Sequence, residues 1–232
     1  MQLEPVEQYK KQAGEMAADR IQSGMTIGLG TGSTAVWMVR RLAERLNQGE
    51  VDNIIGIPTS ERTRAEAEKL GIPLSTLGEH PNIDLTIDGA DEIDPDLNLI
   101  KGGGGALLRE KMVAQASDKF LIVGAASKQV GQLGSTFKLP VEVVKFGHEI
   151  HQAFLQALGA KATLRQTERG RPYLTDGDHL IYDCDFGPIS DVYALARTLN
   201  QRAGVVEHGL FIDLASEAIV VGEAGVIILQ KD

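Results

Sequence analysis

Met25-Thr26-Ile27-Gly28-Leu29-Gly30-Thr31-Gly32-Ser33-Thr34 runs from a short apolar strand, through a glycine- and hydroxyl-rich turn, into a helical pattern reaching from Ser33 to Leu46. Strand, turn and helix in that order form the first half of a β-α-β unit. The pattern recurs downstream. Asn53 to Pro58 reads as strand, Ser60 to Leu70 as helix before Gly71, and Ile83 to Asp88 alternates at period two. Leu97 to Ile100 is a further apolar run, Ala106 to Ala116 a helix, and Phe120 to Val123 a buried strand. Upstream, Val6, Tyr9, Ala13, Met16, Ala17 and Ile21 recur at helical spacing behind Pro5, a residue suited to a first helical turn. The repetition predicts an α/β fold with a Rossmann-like, mostly parallel sheet and helices on both faces.

Past Lys138-Leu139-Pro140 the texture changes. Val141 to Phe146 (strand), Glu149 to Leu158 (helix), Lys161 to Gln166 (strand), His179 to Cys184 (strand) and Val192 to Asn200 (helix) follow in turn. With a last strand near Val205-Val206 this is the order of a smaller, inserted α+β ferredoxin-like domain. Gly209 to Leu229 is strand-rich again. The expected division is therefore an α/β catalytic domain over 1–137 and 208–232, and the insertion over 138–207.

Composition narrows the function. Hydrophobic residues are 43% and charged residues 24% of the 232, which excludes a disordered or fibrous chain. Acids outnumber bases 32 to 23, for a formal charge of −9, and no Lys/Arg run exceeds two, so nucleic acid is not an expected partner. The single Cys184 rules out an internal disulfide, and its apolar-polar run reads as a buried small hydrophobe rather than a nucleophile. Without a basic-apolar leader or a long apolar stretch, no membrane partner is expected, and the expected setting is the cytoplasm.

Four segments carry candidate chemistry. The Gly28–Thr34 turn would offer backbone N–H groups and the hydroxyls of Thr31, Ser33 and Thr34 to a phosphate at a helix N-terminus. A dinucleotide fingerprint would need glycine at Ser33, and a Walker A loop would need a lysine that is absent. A plain N-capped turn is the alternative. Asp88-Gly89-Ala90-Asp91 ends a strand, where open α/β sheets place ligands. Asp94, Asp96 and Asn98 begin like a calcium loop, but Leu99 and Gly105 break it, and Glu92, Asp94 and Asp96 are expected on a solvated rim. Lys101-Gly102-Gly103-Gly104-Gly105 leads into a helix on which Glu110 falls among Ala106, Leu107, Val113 and Ala114. Partial burial there would tune a general base, the alternative being a surface ion pair with Lys111 or Arg109. Ser127-Lys128 closes another strand, with a solvated lysine as its alternative. The five histidines lie outside these segments and are expected at the surface or an interface; no metal and no cofactor is expected.

Taken together these motifs, with Arg109-Glu110-Lys111, Ser127-Lys128-Gln129, Leu139-Pro140-Val141-Glu142-Val143 and Gly209-Leu210-Phe211, resemble the type A ribose-5-phosphate isomerases over essentially the whole chain. The resemblance implies interconversion of D-ribose 5-phosphate and D-ribulose 5-phosphate in the non-oxidative pentose phosphate pathway. It makes Glu110 the proton acceptor and gives Asp88, Asp91 and Lys101 the sugar oxygens, with Gly89, Ala90, Gly102, Gly103 and Gly104 as backbone contacts. Thr31, Gly32, Ser33, Thr34, Lys128 and Lys10 would bind substrate, chiefly at the phosphate. Gly105 departs from the alanine that some members carry, which bears on local loop geometry only. A homodimer or dimer of dimers is implied, with the inserted domain contributing to oligomerisation. The residues also fit a sugar-phosphate sensor without catalysis, or another sugar-phosphate enzyme of this fold. A sensor would need a DNA-binding module that the stretch before Met25 is too short to house.

Overall fold

The computed structural model describes residues 3–231. In chain order its elements are α1 (Pro5–Ala18), β1 (Thr26–Leu29), α2 (Ala35–Asn47), β2 (Ile55–Pro58), α3 (Glu61–Lys69), β3 (Leu85–Gly89), β4 (Glu92–Ile93), β5 (Leu99–Ile100), α4 (Leu107–Gln115) and β6 (Phe120–Ala125). A 3-10 turn at Ala126–Lys128 follows. Then come β7 (Leu139–Val143), α5 (Glu149–Ala157), β8 (Lys161–Leu164), β9 (Leu180–Asp185), α6 (Val192–Asn200), β10 (Val205–His208), β11 (Leu210–Phe211), β12 (Glu217–Gly222) and β13 (Gly225–Gln230). They form two compact units. The first holds the chain up to Ala90, Arg109–Lys128 and the part from Leu214 onward; the second holds Asp91–Leu108 and Gln129–Asp213.

In the first unit six strands lie in the order β13-β12-β6-β3-β1-β2, all parallel except β13, which returns antiparallel on β12. Every residue of β6 is buried, as a central parallel strand covered on both faces requires. Along β1 the period-two alternation sends Ile27 and Leu29 to one face, where they share a core with Ala13, Ala17, Met38 and Leu42 of α1 and α2. Gly28 faces the other way, and Val113 of α4 closes that side with Ile57 and Ile83. A Cβ on Gly28 would lie 1.8 Å from Thr86 Oγ1, so the β1–β3 contact admits only glycine there. Among the described residues, no helix is long and apolar enough to cross a membrane.

In the second unit β7-α5-β8-β9-α6-β10 builds an antiparallel sheet of order β10-β7-β9-β8, the ferredoxin-like arrangement the pattern predicts. Its core joins Leu139, Val141 and Val143 of β7 to Leu155, Leu180, Tyr182, Cys184 and Leu199. The Asp191 carboxylate caps α6 by accepting from Ala194 N–H. A third, antiparallel sheet of two-residue strands, β11-β5-β4, belongs to the same unit. Besides the expected 138–207 stretch, this unit takes in residues 91–108, 129–137 and 208–213, among them β4, β5 and β11. Strand β7 also stops at Val143 rather than Phe146. The chain turns at Gly147, whose φ is +62°, and Phe146 stands 94% exposed.

Two histidines depart from expectation: His151 and His208 are interior residues of this unit. Burial lowers the His151 pKa, helped by the charges of Arg202 and His148. The folded unit therefore resists a proton that the unfolded chain accepts near pH 6.5. Its stability should be full above that pH and fall as pH drops toward the depressed folded value. Urea midpoints taken from pH 7.5 to 5.5 should decline, and His151→Gln should flatten the decline.

Candidate active site

Of the first unit's candidate residues, Thr31–Thr34 follow β1 and Asp88–Ala90 lie at the end of β3, side by side in the sheet. Gly30 N–H donates to Ile87 O at 3.0 Å, and a Cβ on Gly30 would fall 2.4 Å from Asp88 Oδ1. Because that atom is absent, the turn closes on Asp88, whose fully buried carboxylate accepts from Thr31 N–H (2.9 Å) and Gly89 N–H (2.7 Å) through Oδ1. The Thr31 hydroxyl is turned into a cluster with Thr59 (2.7 Å), Ser60 (2.8 Å) and Thr63 (3.1 Å), and Thr63 in turn donates to Gly30 O. It therefore braces the loop from behind, and with its N–H on Asp88 both donors of Thr31 are turned inward. Ser33 is exposed, Gly32 has φ +125°, and Thr34 at the start of α2 makes no side-chain capping bond, against the N-capped-turn alternative.

Glu110 lies in the first turn of α4 and is 3% exposed. Ile83 N–H donates to Ala116 O, which pins the far end of this helix at the beginning of β3. The first turn of α4 therefore points toward the strand ends that carry Thr31 and Asp88. Val113, one turn on and on the same face, stands over Gly28. Arg109 reaches Glu61 at 2.6 Å, and Glu110 is buried rather than at the surface. That contact is the main reason the Glu61 pKa is lowered. Lys128 is half-buried in the turn after β6, and Lys10 of α1 pairs with Glu7 at 2.6 Å. The sequence reading missed Arg40 and Arg62, which line a cavity of about 120 Å³ beside Gly30 and Gly32.

In the second unit Asp91 Oδ2 accepts from Gly103 N–H at 2.8 Å, while Asp91 N–H donates to Ile100 O. This closes the Lys101–Gly104 loop onto the Asp88–Asp91 motif's second acid. Lys101 is 2% exposed; its N–H donates to Gly209 O, and its ammonium lies 5.4 Å from the Phe211 ring. Burying a lysine this deeply is costly and marks a site candidate.

The acidic stretch needs one correction. Glu92 is not a solvated rim residue but 0% exposed. Its carboxylate accepts from Gly134 N–H, Thr136 N–H, Thr136 Oγ1 and Phe137 N–H. Asp94 closes its own turn by accepting from Asp96 and Asn98 N–H, and Asp96 is exposed. Among the described residues no group of three His, Cys, Asp or Glu is placed to hold a metal. Cys184 is buried and its thiol pKa is raised by burial, as a packing residue requires.

Known proteins match this arrangement closely. The family of ribose 5-phosphate isomerase A (phosphoriboisomerase A) matches residues 55–225. A ribose-5-phosphate isomerase A from Synechococcus sp. (strain JA-3-3Ab) is 53% identical over 226 residues, covering 97% of this chain and 98% of that protein. The solved ribose 5-phosphate isomerase from Plasmodium falciparum superposes with a TM-score of 0.94 at 41% identity, covering 97% and 99% of the two chains. A D-ribose-5-phosphate isomerase in complex with phospho-erythronic acid gives a TM-score of 0.94 at 38% identity, with the same coverage.

The interior position of Glu92 predicts a cost on removing its charge. Glu92→Gln sets an amide N–H against backbone donors, and should lower stability by about 1.5–3 kcal/mol, the worth of a charged hydrogen bond. Equilibrium urea unfolding checks this.

Proposed function

The chain belongs to the ribose 5-phosphate isomerase A family and interconverts D-ribose 5-phosphate and D-ribulose 5-phosphate, and we propose that it does so by proton transfer through a cis-enediolate with Glu110 as the base. What supports this is a buried carboxylate in the first turn of α4, a helix whose far end is pinned at the beginning of β3, the strand that ends at Asp88. Glu110 takes the proton from C2 of the open-chain aldose. The electron pair forms C1=C2, and the negative charge moves to O1. A proton then passes from O2 to O1, and protonated Glu110 returns its proton to C1, leaving the carbonyl at C2. Atoms and charge balance, and one carboxylate serves as base and then acid.

The remaining roles follow from the chemistry of each group. Asp88, Asp91 and Lys101, with the Gly89-Ala90 and Gly102–Gly104 backbone, would hold the sugar oxygens, assist ring opening and stabilise the enediolate. Support comes from the burial of Lys101 and the Gly103–Asp91 bond. The Thr31–Thr34 loop and Lys128 would take the phosphate, with Lys10 joining once shared with Glu7. A homodimer or dimer of dimers in the cytoplasm, with the 138–207 region contributing contacts, belongs to the same proposal. The exposure of Phe146 and Ile150 in that region supports it.

Glu110→Gln keeps shape and hydrogen bonding but cannot take the proton. Its turnover should fall by about 10²–10⁴, with C2 hydrogen exchange into deuterated water falling in parallel and KM little changed. Retention of most of the turnover would move the base to Asp88 or Asp91.

Ser33→Ala and Lys128→Ala test the phosphate end. Each should weaken binding of phospho-erythronic acid or ribose 5-phosphate by roughly 10- to 150-fold, the worth of a charge-assisted bond. Slow turnover of free ribose should be untouched. Equal losses for both sugars would remove these residues from the phosphate site.

A further inference from the structure

We propose that Arg165, braced by Asp183, and Tyr173 are positioning residues for the isomerisation: they hold the carbonyls of Gly102, Gly103 and Gly104 and so fix the direction of the loop's N–H groups. The proposal rests on the reading that this loop serves the sugar end of the substrate. Four successive glycines have more conformational freedom to lose than any other sequence of that length, so something must hold them if they are to act in one geometry.

The holding groups come from β9 and the segment joining β8 to it. Arg165 follows β8 and presents Nε and Nη2 to the Asp183 carboxylate of β9, with Nε–Oδ2 at 3.0 Å. This two-point fork leaves Nη1 to donate to Gly102 O at 2.9 Å and Gly103 O at 3.3 Å. Tyr173 OH donates to Gly104 O at 3.2 Å, and its ring lies 5.8 Å from the Arg165 guanidinium. Three consecutive carbonyls are thus tied to two side chains more than sixty residues away in sequence. The Arg165 side chain is only 13% exposed and Gly102 is buried, so water competes weakly for the bond between them.

The consequence lies in peptide geometry. In a trans peptide the C=O and the following N–H point in opposite directions. Drawing the Gly102 and Gly103 carbonyls toward Arg165 therefore turns the N–H groups of Gly103 and Gly104 away from it. The first of these lands on Asp91 Oδ2. The second is aimed by the same constraint, and an enediolate oxygen needs donors fixed before the charge develops. Gly105 belongs to the same device. Its φ is +79°, its N–H donates back to Gly102 O, and a Cβ there would lie 2.3 Å from the Tyr173 hydroxyl. Loop and tyrosine therefore fit together only with glycine at 105. Lysine cannot replace Arg165, because one ammonium cannot make a planar two-point contact with Asp183 and also reach two carbonyls.

The test compares Arg165→Met, Arg165→Lys and Tyr173→Phe with Arg171→Met, an exposed arginine of the same region. Each purified variant is measured for thermal midpoint, kcat, KM for ribose 5-phosphate and inhibition by inorganic phosphate. Misaimed donors should cost kcat about 10²-fold in Arg165→Met, the loss typical of a small misplacement at a reacting centre. Tyr173→Phe should lose roughly 2- to 10-fold, the worth of one neutral hydrogen bond. Arg165→Lys should fall between wild type and Arg165→Met, while KM, phosphate inhibition and Arg171→Met stay near wild type. Tyr173→Phe deletes only a hydroxyl, so it remains informative if Arg165→Met does not fold. Unchanged kcat per folded molecule in both Tyr173→Phe and Arg165→Lys overturns the proposal, whatever their midpoints. Loss of activity in Glu110→Gln alongside intact Arg165 variants rejects only this brace; an active Glu110→Gln rejects the reading of the site beneath it.

Discussion

The backbone of Gly30 approaches Asp88 so closely that no side chain can stand between them, and this contact sets the terms for the rest of the first unit. Parallel pairing of β1 with β3 brings Leu29 opposite Ile87, and Gly30 N–H continues the ladder one step past the strand by donating to Ile87 O. The next donor, Thr31 N–H, meets the Asp88 carboxylate instead of a carbonyl. A ladder thus ends on a buried acid, and the loop that follows begins from a fixed point. The hydroxyls of Thr31, Thr59, Ser60 and Thr63 secure that point from behind, because β1 pairs in parallel with β2 and both strands end side by side. Substituting alanine at Gly30 would push on Asp88 directly, so a change in a loop residue would be felt at a carboxylate.

Buried charge is the chief expense of this design, and the structure meets it with backbone donors. A carboxylate removed from water is tolerable when its lone pairs are satisfied, and peptide N–H groups do this without bringing further charge. Glu92 accepts from three N–H groups and one hydroxyl, and so organises the Gly134–Phe137 segment. Asp88 accepts from Thr31 and Gly89 N–H, and Asp91 from Gly103 N–H, by the same device. Phe137 shows what this ordering achieves: its ring lies 3.0 Å from where a Cβ of Gly103 would be, so Glu92 also helps shape the space around the glycine loop. An acid saturated by main-chain donors is a scaffold.

Much of this was legible in the sequence because it rests on local periodicity. The strand-helix alternation up to Val123, the split β-α-β order beyond Lys138 and the inward face of Glu110 all follow from spacing within one element. What was hidden depends on partners far along the chain. The run Asp91-Glu92-Ile93-Asp94 looks like a solvated edge, and nothing near it reveals that Glu92 finds its donors more than forty residues later. Strands β4, β5 and β11 are two residues long, too short for any alternation to show, yet they place residues 91–108 in the second unit. The Thr31 hydroxyl reads as a ligand donor from the turn alone; only the pairing of β1 with β2 reveals its inward partners. His151 is hidden for the same reason, since its burial depends on the return of the chain at Arg202-Ala203-Gly204.

The assigned roles also divide binding energy in a way that suits a reversible isomerase. The phosphate takes no part in the bond changes, so contacts to it are made equally in substrate, intermediate and product, and they lower KM without lowering the chemical barrier. A chain with a formal charge of −9 gains nothing from its overall field when it binds a phosphate ester. In the proposed site, the turn that ends at Ser33 and Thr34, with one or two lysines, would answer that need. Rate enhancement must then come from the other end of the sugar, where charge appears only as the proton leaves C2. There the donors must be rigid before they are needed. The chain supplies rigidity where its sequence is most flexible, by tying a run of glycines to an arginine, an aspartate and a tyrosine. Glycine gives the close approach, and the distant side chains restore the order that glycine removes.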